Sequence, residues 1–208
     1  MKKGILTVIS GFAGSGKGTL TKMLIEKYDN YRLSISATTR APRPGEVDKE
    51  HYFFKTREEF EKMIEEDRLL EYAEYVGNYY GTPLDYVEEM LNEGRDVILE
   101  IEYIGAFKVK ERFPEAALIF LTPPSVTEVY NRLKKRNTET EEVIRKRLIR
   151  GKEEADIIDK YDFVVVNDNI EEALLNLHNT IQCAKNAICR NSEFINDIKK
   201  QFDEYLSK

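Results

Sequence analysis

The stretch Gly11-Phe12-Ala13-Gly14-Ser15-Gly16-Lys17-Gly18-Thr19-Leu20 decides how this 208-residue chain folds. It nearly fits G-x-x-x-x-G-K-[ST], a loop whose backbone N–H groups converge on phosphate oxygens while its lysine reaches the β- and γ-phosphates. Gly11, Gly16 and Lys17 fit, but Gly18 stands where the pattern asks for a hydroxyl, and Thr19 brings one a residue late. A side chain there is rotated about 100° round a helix from the preceding position, which argues against direct Mg²⁺ ligation by Thr19. Two readings remain: a phosphate loop with a changed metal site, or a glycine-rich turn with a surface lysine. The flanks favour the loop. Ile5 to Ile9 is a β-branched run suited to a buried parallel strand. Thr19 to Tyr28 then carries Leu20, Met23, Leu24 and Tyr28 at helical spacing, so a helix N-terminus adds its partial positive charge.

Further strands are expected at Val97 to Ile101, Ala116 to Leu121 and Phe163 to Val166. Thr56 with Glu59 forms a capping pattern opening a helix through "REEFEKMIEEDRLLEY". "VGNYYGTP" reads as a short hairpin or loop, and residues 33–56 as polar with a turn at "APRPGE". Pro83 opens a helix that Gly94 stops. Ser125 starts a long charged helical region to about Lys160, Ile170 a helix to about Ala187, and the C-terminal segment one more amphipathic helix. Strands alternating with helices imply an α/β fold: a parallel central sheet flanked by helices, with ligands at the strand C-termini. Gly11, Glu100, Thr122 and Asn167 fall there.

Charged residues make up 34% and hydrophobic ones 41%, and the net charge of −6 argues against a nucleic-acid binder. No apolar run is long enough to span a membrane, and the N-terminal run leads straight into the glycine loop, unlike a secretory leader. Cys183 and Cys189 cannot build a disulfide framework and read as free thiols, so a cytoplasmic protein is expected. The sequence leaves the oligomeric state open. His51 and His178 have no motif partners and read as structural or solvent-facing.

Residues 34–54 are the most informative stretch. Arg40 and Arg43 sit three apart around a proline, and each guanidinium can grip phosphate with a planar fork of donors. With Ser36 and Tyr52 they would hold a phosphate monoester. Here the sequence resembles the guanylate kinase family of phosphate-loop nucleoside monophosphate kinases. The resemblance rests on S-x-S-x-T-T-R-x-P-R-x-G-E followed by a tyrosine, on Glu71 to Thr82 ("EYAEYVGNYYGT"), on Arg136 to Leu148 ("RNTETEEVIRKRL") and on Val166-Asn167-Asp168. It runs in matching order from about Ile5 to Gln182.

The resemblance implies a single domain with a core (residues 1–35, 96–124 and 156–182), a GMP-binding arm (36–95), a helical lid (125–155) and a C-terminal extension (183–208). It implies that ATP is held by Gly11, Phe12, Ala13, Gly14, Ser15, Gly16, Lys17, Gly18 and Thr19, with Asn167 at the adenine. Ser36, Arg40, Arg43, Tyr52 and Tyr80 would bind the phosphate of GMP, Glu71 and Thr82 would read guanine, and Glu100 would lie close by. A carboxylate facing guanine accepts from N1–H and the 2-amino group, donors that adenine lacks, and a buried group left unpaired discriminates strongly. Lys17, Arg40, Arg132, Arg136 and Arg147 would carry the chemistry by neutralising charge on the moving phosphoryl group. Mg²⁺ would be held through phosphates and water, with no direct protein ligand; Glu100 or Glu102, expected on one face of a strand, would support it. Ile104 and Asn137 depart from the family pattern, which has Gln and Gly there. The implied reaction is ATP-dependent phosphorylation of GMP, and of dGMP. The alternatives are a catalytically inactive, peptide-binding module of the same fold, or a kinase for another small phosphate monoester.

Overall fold

A computed structural model of the chain describes residues 3–75, 77–135 and 140–207. In chain order the elements are β1 (Leu6–Gly11), α1 (Lys17–Lys27), β2 (Tyr31–Leu33), β3 (Ala37–Thr38), β4 (Phe53–Phe54), α2 (Arg57–Glu65), β5 (Leu69–Tyr75) and β6 (Asn78–Pro83). Then follow α3 (Leu84–Asn92), β7 (Asp96–Glu100), α4 (Tyr103–Arg112), β8 (Ala117–Thr122), α5 (Val126–Lys135), α6 (Glu141–Ala155), β9 (Phe163–Val166), α7 (Ile170–Lys185) and α8 (Ser192–Leu206). The expected parallel sheet is present, in the order β2-β7-β1-β8-β9.

Side-chain alternation along β1 explains why this sheet sits between two helical layers. Ile5 and Ile9 face a cluster with Leu20 and Leu24 of α1 and Leu174 and Leu177 of α7. Leu6 and Val8 face the other way, onto Val87 and Leu91 of α3 and Ala106 and Val109 of α4. These side chains are almost fully buried, and each such burial stabilises the fold by about 1.5–3 kcal/mol.

A second, four-stranded sheet, β4-β3-β6-β5, forms the arm around Ala37, Phe60, Met63 and Leu69. The capping box at Thr56 and Glu59 forms as expected. The helix it opens, however, stops at Glu65 and does not run on to Tyr72. Asp67 turns left-handed (φ 53°), its N–H donates to the Ile64 carbonyl at 3.1 Å, and the Arg68 N–H donates to the Met63 carbonyl at 2.9 Å. This is a Schellman ending. It frees Leu69–Tyr75 to pair antiparallel with Asn78–Pro83, so the described part of "VGNYYGTP" belongs to a hairpin.

Other elements also differ from expectation. Helix α4 and the short strands β2, β3 and β4 have no counterpart in the sequence reading. The charged region after Ser125 is two helices, α5 and α6, with α6 ending at Ala155. Cys189 lies in a short 3-10 turn, off the helix that carries Cys183; both thiols are free. Among the described residues no helix is long and apolar enough to cross a membrane.

Candidate active site

The glycine loop turns at the C-terminal end of β1 and feeds α1. Gly16 has φ 92°, and a Cβ there would lie 2.5 Å from the Asn167 side-chain nitrogen. A Cβ at Gly11 would run into the Leu121 carbonyl of β8. The loop is therefore tight because β8 and the end of β9 press on it. Asn167 is buried and ties these parts together: its side-chain amide donates to the Ser15 carbonyl at 2.8 Å and its backbone N–H to the Thr122 carbonyl at 2.7 Å. Arg132 adds a third tie, donating from Nη2 to the Asn167 carbonyl at 2.8 Å and from Nε to Glu128 at 2.7 Å. The amide nitrogen of Asn167, expected at the adenine, is thus engaged by the loop itself.

Lys17 Nζ donates to the Gly11 carbonyl, with the Phe12 carbonyl at 3.5 Å. Its ammonium lies folded back over the loop that would hold phosphate. Gly18 and Thr19 are exposed in the first turn of α1, and the Glu100 carboxylate lies 3.8 Å from where a Cβ on Gly18 would stand. Glu100 and Glu102 do not share a strand face. β7 ends at Glu100, and Glu102 stands at the N-cap position of α4 with its side chain turned to Arg150 of α6 and not to the helix N–H groups.

In the arm, one carboxylate organises both arginines. Glu46 accepts from Arg40 Nη2 at 2.8 Å and from the backbone N–H of Arg43 at 2.7 Å. The Arg40 hydrogen bond and the Arg43 N–H hold the Glu46 carboxyl down to about 2. The Arg40 guanidinium lies over the Tyr52 ring, 5.4 Å from its centroid, and Tyr52 meets Tyr80 edge-on at 6.2 Å. Arg40, Tyr52 and Tyr80 are thus brought together. Arg43 is exposed, and half-buried Ser36 precedes β3, where its carbonyl accepts from Phe53.

Glu71 and Thr82 face each other across the β5–β6 hairpin, and the Thr82 hydroxyl donates to Glu71 at 2.8 Å. Burial pushes the Glu71 carboxyl up from its ordinary range, while the Thr82 hydrogen bond and the Lys108 charge pull it back. Gly105 in the first turn of α4 makes room for it: a Cβ there would lie 3.0 Å from the Glu71 carboxylate. Neighbouring Ile104 is half exposed. The Glu71 carboxylate thus lies at the start of α4, while Glu100 ends β7 just before it, beside the first turn of α1.

The helices expected to form the lid, α5 and α6, lie on the glycine loop. Val129, Leu133 and Ile144 form a small core against Phe12 and Ala13, and Gly151 of α6 abuts the Phe12 ring. Arg147 is exposed on α6, while Arg136 and Asn137 lie outside the described residues. One turn beyond Arg147, Arg150 pairs with Glu102 and lies 3.6 Å from Glu154. Glu154 is nearly buried; its carboxyl is raised by desolvation, opposed first by the nearby Lys17 charge.

The family model described as "Guanylate kinase" matches residues 3–184. The chain belongs to the guanylate kinase family. It is 58% identical over 173 residues to the guanylate kinase of Halalkalibacterium halodurans, covering 83% of this chain and 85% of that one. It is 50% identical over 200 residues to the guanylate kinase of Caldanaerobacter subterraneus, covering 96% and 97%. The crystal structure of guanylate kinase from Anaplasma phagocytophilum superposes with a TM-score of 0.68 at 32% identity, covering 91% of this chain and 90% of that one.

Four residues of this guanylate kinase family member escaped the sequence reading as site residues. Glu46 was visible only as the last letter of R-x-G-E. Lys108 donates to the Tyr72 carbonyl at 3.2 Å beside Glu71, and its helix was not foreseen. Arg150 and Glu154 are spaced like any i,i+4 surface pair, and only the fold brings Glu102 and Lys17 to them.

Proposed function

We propose that this chain transfers the γ-phosphoryl group of ATP in line to the 5′-phosphate of GMP, and of dGMP, giving ADP and the corresponding diphosphate. The observation that carries the reading is the Glu71 carboxylate, half-buried, held by the Thr82 hydroxyl and lying against Gly105 at the start of α4, the helix that follows β7. An ionised carboxylate there suits the N1–H and 2-amino donors of guanine and leaves adenine without a partner. Arg40, Tyr52 and Tyr80, with Arg43 and Ser36, bind the acceptor phosphate. Residues 11–19 bind the ATP phosphates, and Lys17 swings from the Gly11 carbonyl onto them. Arg132, Arg136 and Arg147 stabilise the transition-state charge as the lid excludes water, and the acceptor is already an anion, so no covalent enzyme intermediate is needed.

Bound with ATP, Mg²⁺ supplies charge neutralisation across the phosphates. Among the described residues no three His, Cys, Asp or Glu side chains gather to hold a metal ion. The donor set fits a cation held by phosphates and water, with Glu100 beside the first turn of α1 as the carboxylate that orients that water. The cytoplasm, where both nucleotides occur, is the matching compartment.

The test is ADP formation with ATP and Mg²⁺ and, separately, GMP, dGMP, AMP, CMP and UMP. Turnover confined to GMP and dGMP is expected. AMP or UMP performing as well as GMP would overturn the guanine assignment, and no turnover with any acceptor would point to a peptide-binding module.

A further inference from the structure

Strand β5 ends the sheet of the arm, so one row of its backbone groups faces away from β6. Helix α4 lies along that open edge. Arg112 donates to the Leu69 carbonyl at 3.2 Å, and Lys108, one turn earlier, donates to the Tyr72 carbonyl at 3.2 Å. The register of β5 slips between Leu69 and Glu71, so carbonyls three residues apart both face the helix. The Lys108 ammonium also lies over the Tyr72 ring, 5.2 Å from its centroid.

The two cations use their charge differently. Arg112 grips the Asp67 carboxylate at 2.7 and 2.8 Å and is neutralised there. Lys108 rests on a carbonyl and a ring, both uncharged, so these anchors do not cancel its charge. Glu71 directly precedes Tyr72, and its carboxylate lies against Gly105. Gly105 and Lys108 are three apart on α4 and share a face. The helix thus offers the carboxylate a glycine where it needs room and an ammonium one turn on. The groups that act on this carboxyl are Thr82 from β6, by hydrogen bond, and Lys108 from α4, by charge.

We propose that Lys108 is a positioning residue for guanine selection: clipped to the open edge of β5, its ammonium keeps the Glu71 carboxylate charged and ready to accept from the base. The inference rests on the guanine reading of Glu71 given above. Guanine presents two donors, N1–H and the 2-amino group, and a protonated carboxyl would turn a donor of its own toward them. Lys108 acts through Glu71 and not on the nucleotide. It is exposed, so solvent weakens its effect without removing it.

Two variants separate this role from a plain tether. Lys108→Met keeps the apolar stem and drops the charge, and Lys108→Arg restores the charge. In Lys108→Met the acid limb of kcat/KM for GMP is expected to move toward neutral by about 0.5–1 pH unit. The loss should therefore reach about three- to tenfold below the limb and shrink to within about twofold at pH 8, with KM for ATP near wild type. Lys108→Arg should return the limb to its wild-type position. Carbon-13 NMR titration of the Glu71 carboxyl in the nucleotide-free chain, assigned with Glu71→Gln, should show the same displacement, whatever the acceptor nucleotide. A Glu71 titration unmoved in Lys108→Met would overturn the inference, as would an equal loss of GMP use at every pH, which would make Lys108 only a clamp on the edge strand. A displaced titration in a chain whose wild type uses AMP as well as GMP would place the failure in the guanine reading, and would overturn the selection role with it.

Discussion

The Asn167 side-chain amide donates to the Ser15 carbonyl at 2.8 Å, joining the end of β9 to the middle of the phosphate loop. Both groups are buried. Asn167→Ala leaves a buried carbonyl without its donor, a penalty of about 1–3 kcal/mol. The expected result is a KM for ATP raised severalfold, a KM for GMP near wild type, and a melting temperature lower by roughly 2–4 °C per kcal/mol. Steady-state kinetics with each substrate varied in turn checks this. If both KM values rise together, the clamp does not act through the phosphate loop.

Glu71 should couple GMP use to pH. Burial raises its folded-state pKa, and guanine needs the carboxylate charged. GMP use should therefore fail as pH drops through a midpoint above the ordinary Glu value of about 4.3. Thr82→Ala removes the hydrogen bond that lowers this pKa, so the acid limb should move toward neutral. Glu71→Gln should show no such limb and lose roughly 10- to 100-fold in kcat/KM for GMP, the worth of a charge-assisted hydrogen bond. Its KM for ATP should stay near wild type. A raised folded pKa contributes stability only below the unfolded value and loses it as pH rises through the folded one. Glu71→Gln should therefore melt no lower than wild type at pH 7, although it uses GMP poorly. A lower melting temperature would mean that Glu71 holds the arm together.

The parts of this molecule that were legible in the sequence are those set by local pattern. Ile5 to Ile9, Val97 to Ile101, Ala116 to Leu121 and Phe163 to Val166 are apolar runs that read as buried strands, and their bounds lie within two residues of β1, β7, β8 and β9. The arm was less legible because its strands owe their existence to pairing across the fold. β3 and β4 are two residues long, and nothing in Ala37-Thr38 or Phe53-Phe54 announces a sheet without the other strand beside it. The helix through Leu69 was overrun because its stop signal is an aspartate in a left-handed turn, a residue that sits as readily inside a charged helix surface. The site was legible as an ordered set of motifs, but the residues that hold it were not. Glu46 and Glu154 are two among many acids until Arg40 and Lys17 are placed beside them.

His178 predicts a stability change near neutral pH. Its ring stacks on Tyr28 at 3.8 Å and its Nδ1 lies 2.8 Å from the Tyr31 hydroxyl. Gln182 donates to that hydroxyl at 3.0 Å, which leaves the hydroxyl proton free to be donated to a neutral Nδ1. Desolvation lowers the His178 pKa, and Asp96 offsets this only in part. A depressed folded pKa contributes stability above the unfolded value of about 6.5 and loses it as pH falls through the folded one. The wild type should therefore lose melting temperature between pH 7 and pH 5 more steeply than His178→Gln. Parallel curves would show that the ring titrates as it does in the unfolded chain.

Arg150 and Glu102 predict a lid whose closure can be altered without harming the fold. The pair joins α6 to the start of α4, and its side chains remain 47% (Arg150) and 67% (Glu102) exposed. Exposed pairs of this kind contribute about 0.2–1 kcal/mol, so Arg150→Ala should melt within about 2–4 °C of wild type. The same energy holds α6 against Phe12, beside the lysine proposed to meet ATP. Losing it should lower kcat/KM for ATP by up to about fivefold, the factor that 1 kcal/mol represents. Glu102→Gln should give the same loss, and the double variant no more than either alone, because both remove one contact. Raising salt should narrow the difference between wild type and variant, since the pair is open to screening. Additive losses in the double variant would show that Arg150 and Glu102 act separately, with Arg150 working through Glu154 and Lys17 instead.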